Sequence, residues 1–224
     1  LKFLKKPGLG FCGCRDVTAK GVAIAADCAE QAARQGYVVI SGHAIGVDRV
    51  AHKAALETGG STIVVLPYSM EEFQVAPELQ RCWDWKRVLV LSQFDQDMKF
   101  ERWFPIKRNR TILGLSLAML LVEALDSGGT MHAGQDALKL GVPLYVAQRV
   151  DADRRPGGGI LTRQGAFKLF KNMDMGRANM TALFDHLELL KKRQEDKADH
   201  KEIVLAQRLK EPTSADYNST GDLF

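Results

Sequence analysis

Short apolar runs alternate with longer amphipathic stretches along most of the chain. Leu9–Gly13, Tyr37–Ile40, Ser61–Leu66, Val88–Leu91, Ala118–Val122 and Pro143–Ala147 are four to six residues long and bounded by turn-forming or polar residues. Such uninterrupted runs predict strands buried on both faces, as in parallel sheets. Between them, Thr18–Gln35 carries Val22, Ala25, Ala26, Ala29 and Ala33 at helical spacing and stops at Gly36. Asp48–Thr58 ends at Gly59-Gly60, and Thr130–Leu140 ends at Gly141, so both predict helices with glycine stops. Arg110–Leu115 also reads as helical. Tyr68–Trp85 is less regular and is expected to hold one helix, and Arg154–Gly159 reads as a loop. Strand and helix alternating at this spacing build βαβ units. The expected class is α/β: a Rossmann-like, doubly wound, mostly parallel sheet with helices on both faces.

The pattern changes after Val150. Residues 1–175 are expected to form the Rossmann-like domain and 176–210 a C-terminal helical extension, with Leu183, Phe184, Leu187 and Leu190 on one stripe that suits core packing and a charged continuation that suits dimerisation. Residues 211–224 are polar and read as a disordered tail. The longest apolar stretch, Ile112–Val122, is broken by Gly114 and Ser116 and is too short to span a bilayer. The first residues lack the apolar run of a signal peptide, so a cytoplasmic protein without a membrane partner is expected. The chain opens on Leu1 rather than Met, which points to a trimmed or excerpted chain. Its four cysteines fit no common zinc frame and read as reduced core thiols; Cys12 and Cys14, two apart on a strand, share a side. His43, His52 and His132 show no metal-ligand spacing. No metal and no cofactor is expected.

Composition adds little: the net charge of +4 permits nucleic acid as a partner without requiring it. Distribution says more. From Lys99 to Arg110 the basic residues Lys99, Arg102, Lys107, Arg108 and Arg110 face one acid, Glu101, with Phe100, Trp103 and Phe104 interleaved. Cations grip phosphates, and aromatic faces stack bases. Two strand-to-helix turns are rich in small residues. One is Ser41-Gly42-His43-Ala44-Ile45-Gly46-Val47-Asp48; the other is Asp126-Ser127-Gly128-Gly129-Thr130, after Glu123 at a strand end. Such turns let backbone N–H groups approach an anion at a helix N-terminus. Ser41 offers a hydroxyl, Asp48 caps the helix or holds the loop, and His52, four residues after Asp48, suits a local hydrogen bond. The third element is Lys107-Arg108-Asn109-Arg110, whose guanidiniums suit bidentate phosphate contacts.

Taken in order, these segments resemble the DNA-processing protein A (DprA, or Smf) family. The resemblance runs through Ser41-Gly-x-Ala-x-Gly-x-Asp48 with His52, Phe104-Pro105 ahead of Arg108-Asn109-Arg110-x-Ile112-x-Gly114-Leu115-Ser116, Val122-Glu123-Ala124 and Ser127-Gly128. Gly159-x-Leu161 and Gly165-Ala166 extend it, so that it spans roughly Leu9 to Leu169. Two residues rather than one separate Phe-Pro from Arg-Asn-Arg, and Ser127–Ala133 departs from the usual Ser-Gly-Ser-Leu-Ile-Thr-Ala. With no N-terminal helical domain and no clear winged helix, the chain resembles a divergent, stand-alone member.

The resemblance implies a non-catalytic protein that binds single-stranded DNA in DNA processing and recombination, including natural transformation. It also implies loading of RecA and formation of a homodimer. By motif, Ser41, Gly42, Gly46, Lys107, Arg108, Asn109, Arg110, Ser127, Gly128, Gly129 and Thr130 would bind the phosphates, with Asp48, His52 and Glu123 in support.

Two alternatives stand beside it. One is a sensor of a free nucleotide. The other is a phosphoribohydrolase like the LOG-type enzymes, which carry Pro-Gly-Gly-x-Gly-Thr-x-x-Glu. Here Gln135 falls at the glutamate's place, and Glu123 or Asp126 would have to supply the charge. The final Thr220-Gly221-Asp222-Leu223-Phe224 resembles sliding-clamp-binding peptides without their leading Gln.

Overall fold

A computed structural model describes residues 2–147, 155–172 and 176–210, with side chains to 196. The 211–224 tail with its clamp-like ending, and Arg154, lie outside the described residues. Among the described residues seven strands form one sheet: β1 (Gly8–Gly13), β2 (Val38–Ser41), β3 (Thr62–Leu66), β4 (Val88–Ser92), β5 (Ala118–Val122), β6 (Leu144–Ala147) and β7 (Phe167–Leu169). Their order is β4-β3-β2-β1-β5-β6-β7, and every pairing is parallel. This is the expected doubly wound α/β sheet. The edge strand β7, with its exposed-exposed-buried pattern, is too short and polar to stand out in the sequence.

The helices are α1 (Ala19–Arg34), α2 (Val47–Glu57), α3 (Phe104–Leu115), α4 (Gly129–Lys139), α5 (Gly157–Arg163) and α6 (Thr181–Lys210). Alternation along each strand divides the core. Cys12, Ile40, Val65, Met119 and Leu121 meet Ile112 and Leu113 of α3, Ala133 and Ala137 of α4 and Leu161 of α5. On the opposite face, Val64 and Leu66 pack with Leu56 of α2, which lies against α1. Thr18 caps α1 by accepting a hydrogen bond from the Gly21 N–H at 3.1 Å.

Three segments differ from expectation. Tyr68–Trp85 holds two 3-10 turns, Met70–Glu72 and Pro77–Leu79, instead of an α-helix. Packing of Phe73 and Trp83 against Val64 and Leu66 fixes that segment without a helical repeat. α3 starts at Phe104, six residues earlier than expected, because Pro105 suits a first helical turn. The glycines of 157–159 open α5 where a loop was expected; a Cβ on Gly157 would lie 2.1 Å from the Leu125 carbonyl oxygen, so only glycine lets that turn approach the β5 end.

The first compact unit runs to Phe184. Within it, Arg177 pairs with Asp27 and Glu30 of α1, and the Ala178 N–H donates to Asp27 at 2.7 Å. The ring of Phe184 stacks on Tyr37 at 5.7 Å. The second unit carries the rest of α6.

Leu120 sits fully buried at the middle of β5, paired on both sides by β1 and β6. Leu120→Ala is expected to cost about 2–5 kcal/mol of stability, read from the urea midpoint of the full chain.

Candidate functional site

The winding direction of the sheet reverses between β1 and β5, whose strands pair from Leu9↔Ala118 to Gly13↔Val122. Loops leaving such neighbouring strand ends diverge and leave a crevice. A hollow of ≈ 990 Å³ occupies that place. Close approach builds its floor: a Cβ on Gly13 would lie 2.2 Å from the Val122 carbonyl oxygen, so only glycine fits there.

Three loops and the start of α3 converge on the hollow. From β1 come Gly13, Cys14, Arg15 and Asp16, with Thr18 at the cap of α1. From β5 come Leu125, Ser127, Gly128, Gly129 and Thr130. Gly128 caps α4 in a backbone conformation with φ 88°, and among the described residues no side-chain cap bonds the first turn. Side-chain space over Gly128 and Gly129 is empty among the described residues, so a ligand can reach those N–H groups. The Thr130 hydroxyl is turned inward and donates to the Gly13 carbonyl at 2.9 Å. Pro105, Arg108 and Asn109 enter from α3, and Ala44 and Asp48 from the β2–α2 segment.

Arg108 is buried. Its Nη1 donates to the Val65 carbonyl at 2.7 Å, and its Nε has no partner among the described residues. Burial raises the pKa of the Asp48 carboxyl, and the nearby Arg108 charge opposes that rise. Arg108 and Asp48 are thus two desolvated groups, each favouring the other's charged form against the cost of burial. Gly42 lies directly beneath, where a Cβ would sit 1.7 Å from Arg108 Nη1.

The sequence-predicted residues divide accordingly. Arg108, Asn109, Ser127, Gly128, Gly129, Thr130 and Asp48 line the hollow. Ser41, Gly42 and Gly46 lie behind its wall. Ser41 is fully buried and donates to the Phe11 carbonyl at 2.7 Å, so its hydroxyl is spent on the sheet. Gly46, with φ 94°, seats the loop against the Cys14 carbonyl. His52 Nε2 donates to the Gly42 carbonyl at 2.6 Å, a local bond to the preceding loop instead of to Asp48, and Nδ1 lies 2.6 Å from the Thr62 hydroxyl.

Two of the predicted cations point elsewhere. The Arg110 side chain is 66% exposed and sits 3.7 Å from Asp136. Lys107 Nζ lies over the rings of Trp103 and Phe94, at 5.3 and 5.9 Å. Helical geometry explains the split, because neighbours in an Arg-Asn-Arg run point about 100° apart. Of the aromatics, Phe104 is buried in a stack on Phe94, whereas Phe100 and Trp103 remain 59% and 46% exposed.

Arg15, Asp16 and Arg155 are site residues that the sequence reading missed. Arg15 follows the glycine at the end of a central strand, a signal visible in retrospect. Arg155 carried no such signal, for it arrives from far along the chain. Its Nε lies 3.2 Å from Glu123 and its Nη2 3.4 Å from Asp16. Glu123 is buried with φ 56° and accepts from the Thr18 N–H at 3.1 Å and the Thr18 hydroxyl at 2.5 Å. A non-glycine residue in that left-handed region is uncommon, and here the carboxylate network holds it.

Gly42→Ala should displace the Arg108 guanidinium and break its bond to Val65. A loss of about 1–3 kcal/mol in urea unfolding is expected. A second outcome concerns pH. Burial lowers the His52 pKa from 6.5 to about 4, aided by the Arg108 charge. In the unfolded chain it titrates near 6.5, so between those values the unfolded state binds the extra proton. Stability should fall as pH drops from about 6.5 toward 4; burial lowers the His43 pKa to about 4 as well, so His52→Gln should remove only part of that dependence.

Residues 1–178 match the family model of DNA recombination-mediator protein A. The chain is 29% identical over 174 residues to DNA processing protein DprA of Bacillus subtilis, covering 75% of this chain and 57% of that protein. It is 33% identical over 150 residues to DprA of Streptococcus pneumoniae, covering 65% and 50%. The chain thus spans about half the length of these curated relatives. DNA processing protein A of Helicobacter pylori, whose structure was described for its single-stranded DNA binding mode, superposes with a TM-score of 0.68 at 25% identity, over 86% of this chain and 84% of that one. The chain belongs to the DNA recombination-mediator protein A family, the family of the DprA proteins.

Proposed function

We propose that this chain binds single-stranded DNA in DNA processing and recombination, by holding backbone phosphates in the hollow between β1 and β5. The observation that carries the reading is the convergence of Arg15, Arg108 and Arg155 with the uncapped N-terminus of α4 on one open hollow. Guanidiniums and free helix amides suit phosphate oxygens. Exposed Trp103 and Phe100, beside Lys107 and just before the α3 turn that lines the hollow, offer stacking faces for bases of the same strand. Unstacked bases are available in single strands and not in a duplex, which gives the preference for the former.

Family membership supports a wider role, for which we propose a non-catalytic mediator in the cytoplasm that loads RecA and works as a homodimer, natural transformation included. Among the described residues no helix is long and apolar enough to cross a membrane. A free nucleotide is the second reading, because a hollow of ≈ 990 Å³ has the size of a small-ligand site. The hydrolase reading has less support, since Glu123 is committed to Thr18 and Arg155, and Gln135 is neutral.

Fluorescence anisotropy with labelled oligonucleotides tests the proposal. Binding should favour single strands and weaken steeply with salt as counterions are released. Arg15→Ala should weaken binding about tenfold or more, whereas Arg110→Ala, on the outer side of α3, should change it less than about twofold. Absence of binding, or the reverse ranking of the two variants, would refute the proposed site. A mononucleotide that competes at micromolar concentration would favour the second reading.

A further inference from the structure

The hollow sets carboxylates against its guanidiniums. Asp16 and Asp48 line it beside Arg15, Arg108 and Arg155, and Glu123 stands behind Arg155. An anion that is to use Arg155 in such a site competes with a carboxylate already beside it. Asp48 is buried against Arg108 and cannot leave without stranding that charge. Glu123 is fixed by two bonds from Thr18 and by its own buried side chain.

Asp16 differs. Its side chain is 103% exposed, and it reaches Arg155 Nη2 at 3.4 Å from the rim. An exposed ion pair of that kind contributes little and separates readily. The Asp16 carbonyl also accepts from Arg155 Nη2, so the loop stays tethered if the carboxylate swings away. A phosphodiester offers the guanidinium two unesterified oxygens in bidentate geometry, a better partner than one carboxylate oxygen at that distance.

We propose that Asp16 is an internal competitor for the ligand phosphate at Arg155, and that Glu123 is the positioning residue that keeps Arg155 over the hollow once Asp16 is displaced. This rests on the phosphate-binding reading above. Asp16 sets affinity by occupying the cation that the ligand needs, so the free protein carries its own weak stand-in for a phosphate. Glu123 touches no ligand; it acts through Arg155.

The experiment is a salt series of anisotropy titrations of the full chain with a labelled oligothymidylate. Asp16→Asn should tighten binding about fivefold at low salt, the effect of removing one like charge about 4 Å away in water. The gain should shrink as salt rises, because Asp16 is exposed. Asp16→Glu should return affinity toward wild type. Placed in an Arg155→Ala background, Asp16→Asn should lose most of its effect, since the two residues act on one contact. Glu123→Gln should weaken binding and flatten the salt dependence, as one phosphate contact is lost.

Unchanged or weaker binding by Asp16→Asn overturns the competitor role, as does a full gain that persists without Arg155. Wild-type affinity and salt slope in Glu123→Gln overturn the positioning role. If that variant fails to fold, the Asp16 and Arg155 pair still decides the competitor role. If wild type and all variants fail to bind, the phosphate reading falls and takes this inference with it; binding by wild type with a neutral Asp16→Asn removes this inference alone.

Discussion

A buried guanidinium organises this end of the molecule. Arg108 leaves α3, passes over Gly42 and donates to a carbonyl of β3, while Asp48 of α2 supplies its counter-charge. A desolvated cation tolerates neither a missing partner nor a crowded one. Its presence therefore dictates much around it: glycine at position 42, an acid in the first turn of α2, and a neutral imidazole at His52 that holds the Gly42 carbonyl in place. Because Arg108 also borders the hollow, the same residue that ties α3 to the sheet sets the electrostatic character of the crevice.

The second constraint is steric. β1 and β5 diverge in their onward connections, yet their ends touch closely enough that Gly13 has no room for a Cβ. That closeness brings the N-terminal turns of α1 and α4 to a common space. One of them, α1, is capped by Thr18, whose hydroxyl also binds Glu123. The other, α4, has no side-chain cap among the described residues. Its amide donors are thus available, and the open space over Gly128 and Gly129 keeps them accessible. Fold and site share one cause here: the topology makes a crevice, and small residues keep it from filling.

Legibility in the sequence followed the physical range of each signal. Apart from the short edge strand β7, the strands were readable because burial on both faces demands continuous apolar runs, and the helices α1, α2 and α4 because glycine stops them. The two glycine turns were readable for the same local reason. Orientation was not. Lys107, Arg108, Asn109 and Arg110 look alike as a basic run, and only the helical twist separates a buried cation from an outward one. Ser41 reads as a free hydroxyl until the β1 carbonyl that it bonds is in place. Arg155 was invisible, because its partners Asp16 and Glu123 are 139 and 32 residues away in the chain. Contacts across such separations leave no periodic trace.

The chemistry of the hollow also bears on what it can distinguish. Arginines and helix amides suit phosphate oxygens, which are the same at every nucleotide. Reading a base requires donors and acceptors fixed at its edge, and the aromatic side chains exposed before α3 offer ring faces for that purpose instead. On the proposed reading, recognition is therefore of a charged, unpaired backbone whatever its sequence. Such a site suits a protein that must accept any strand presented for recombination. The selectivity left to it is for strandedness, since a duplex keeps its bases stacked away from Trp103 and Phe100 while its phosphates remain as charged as before.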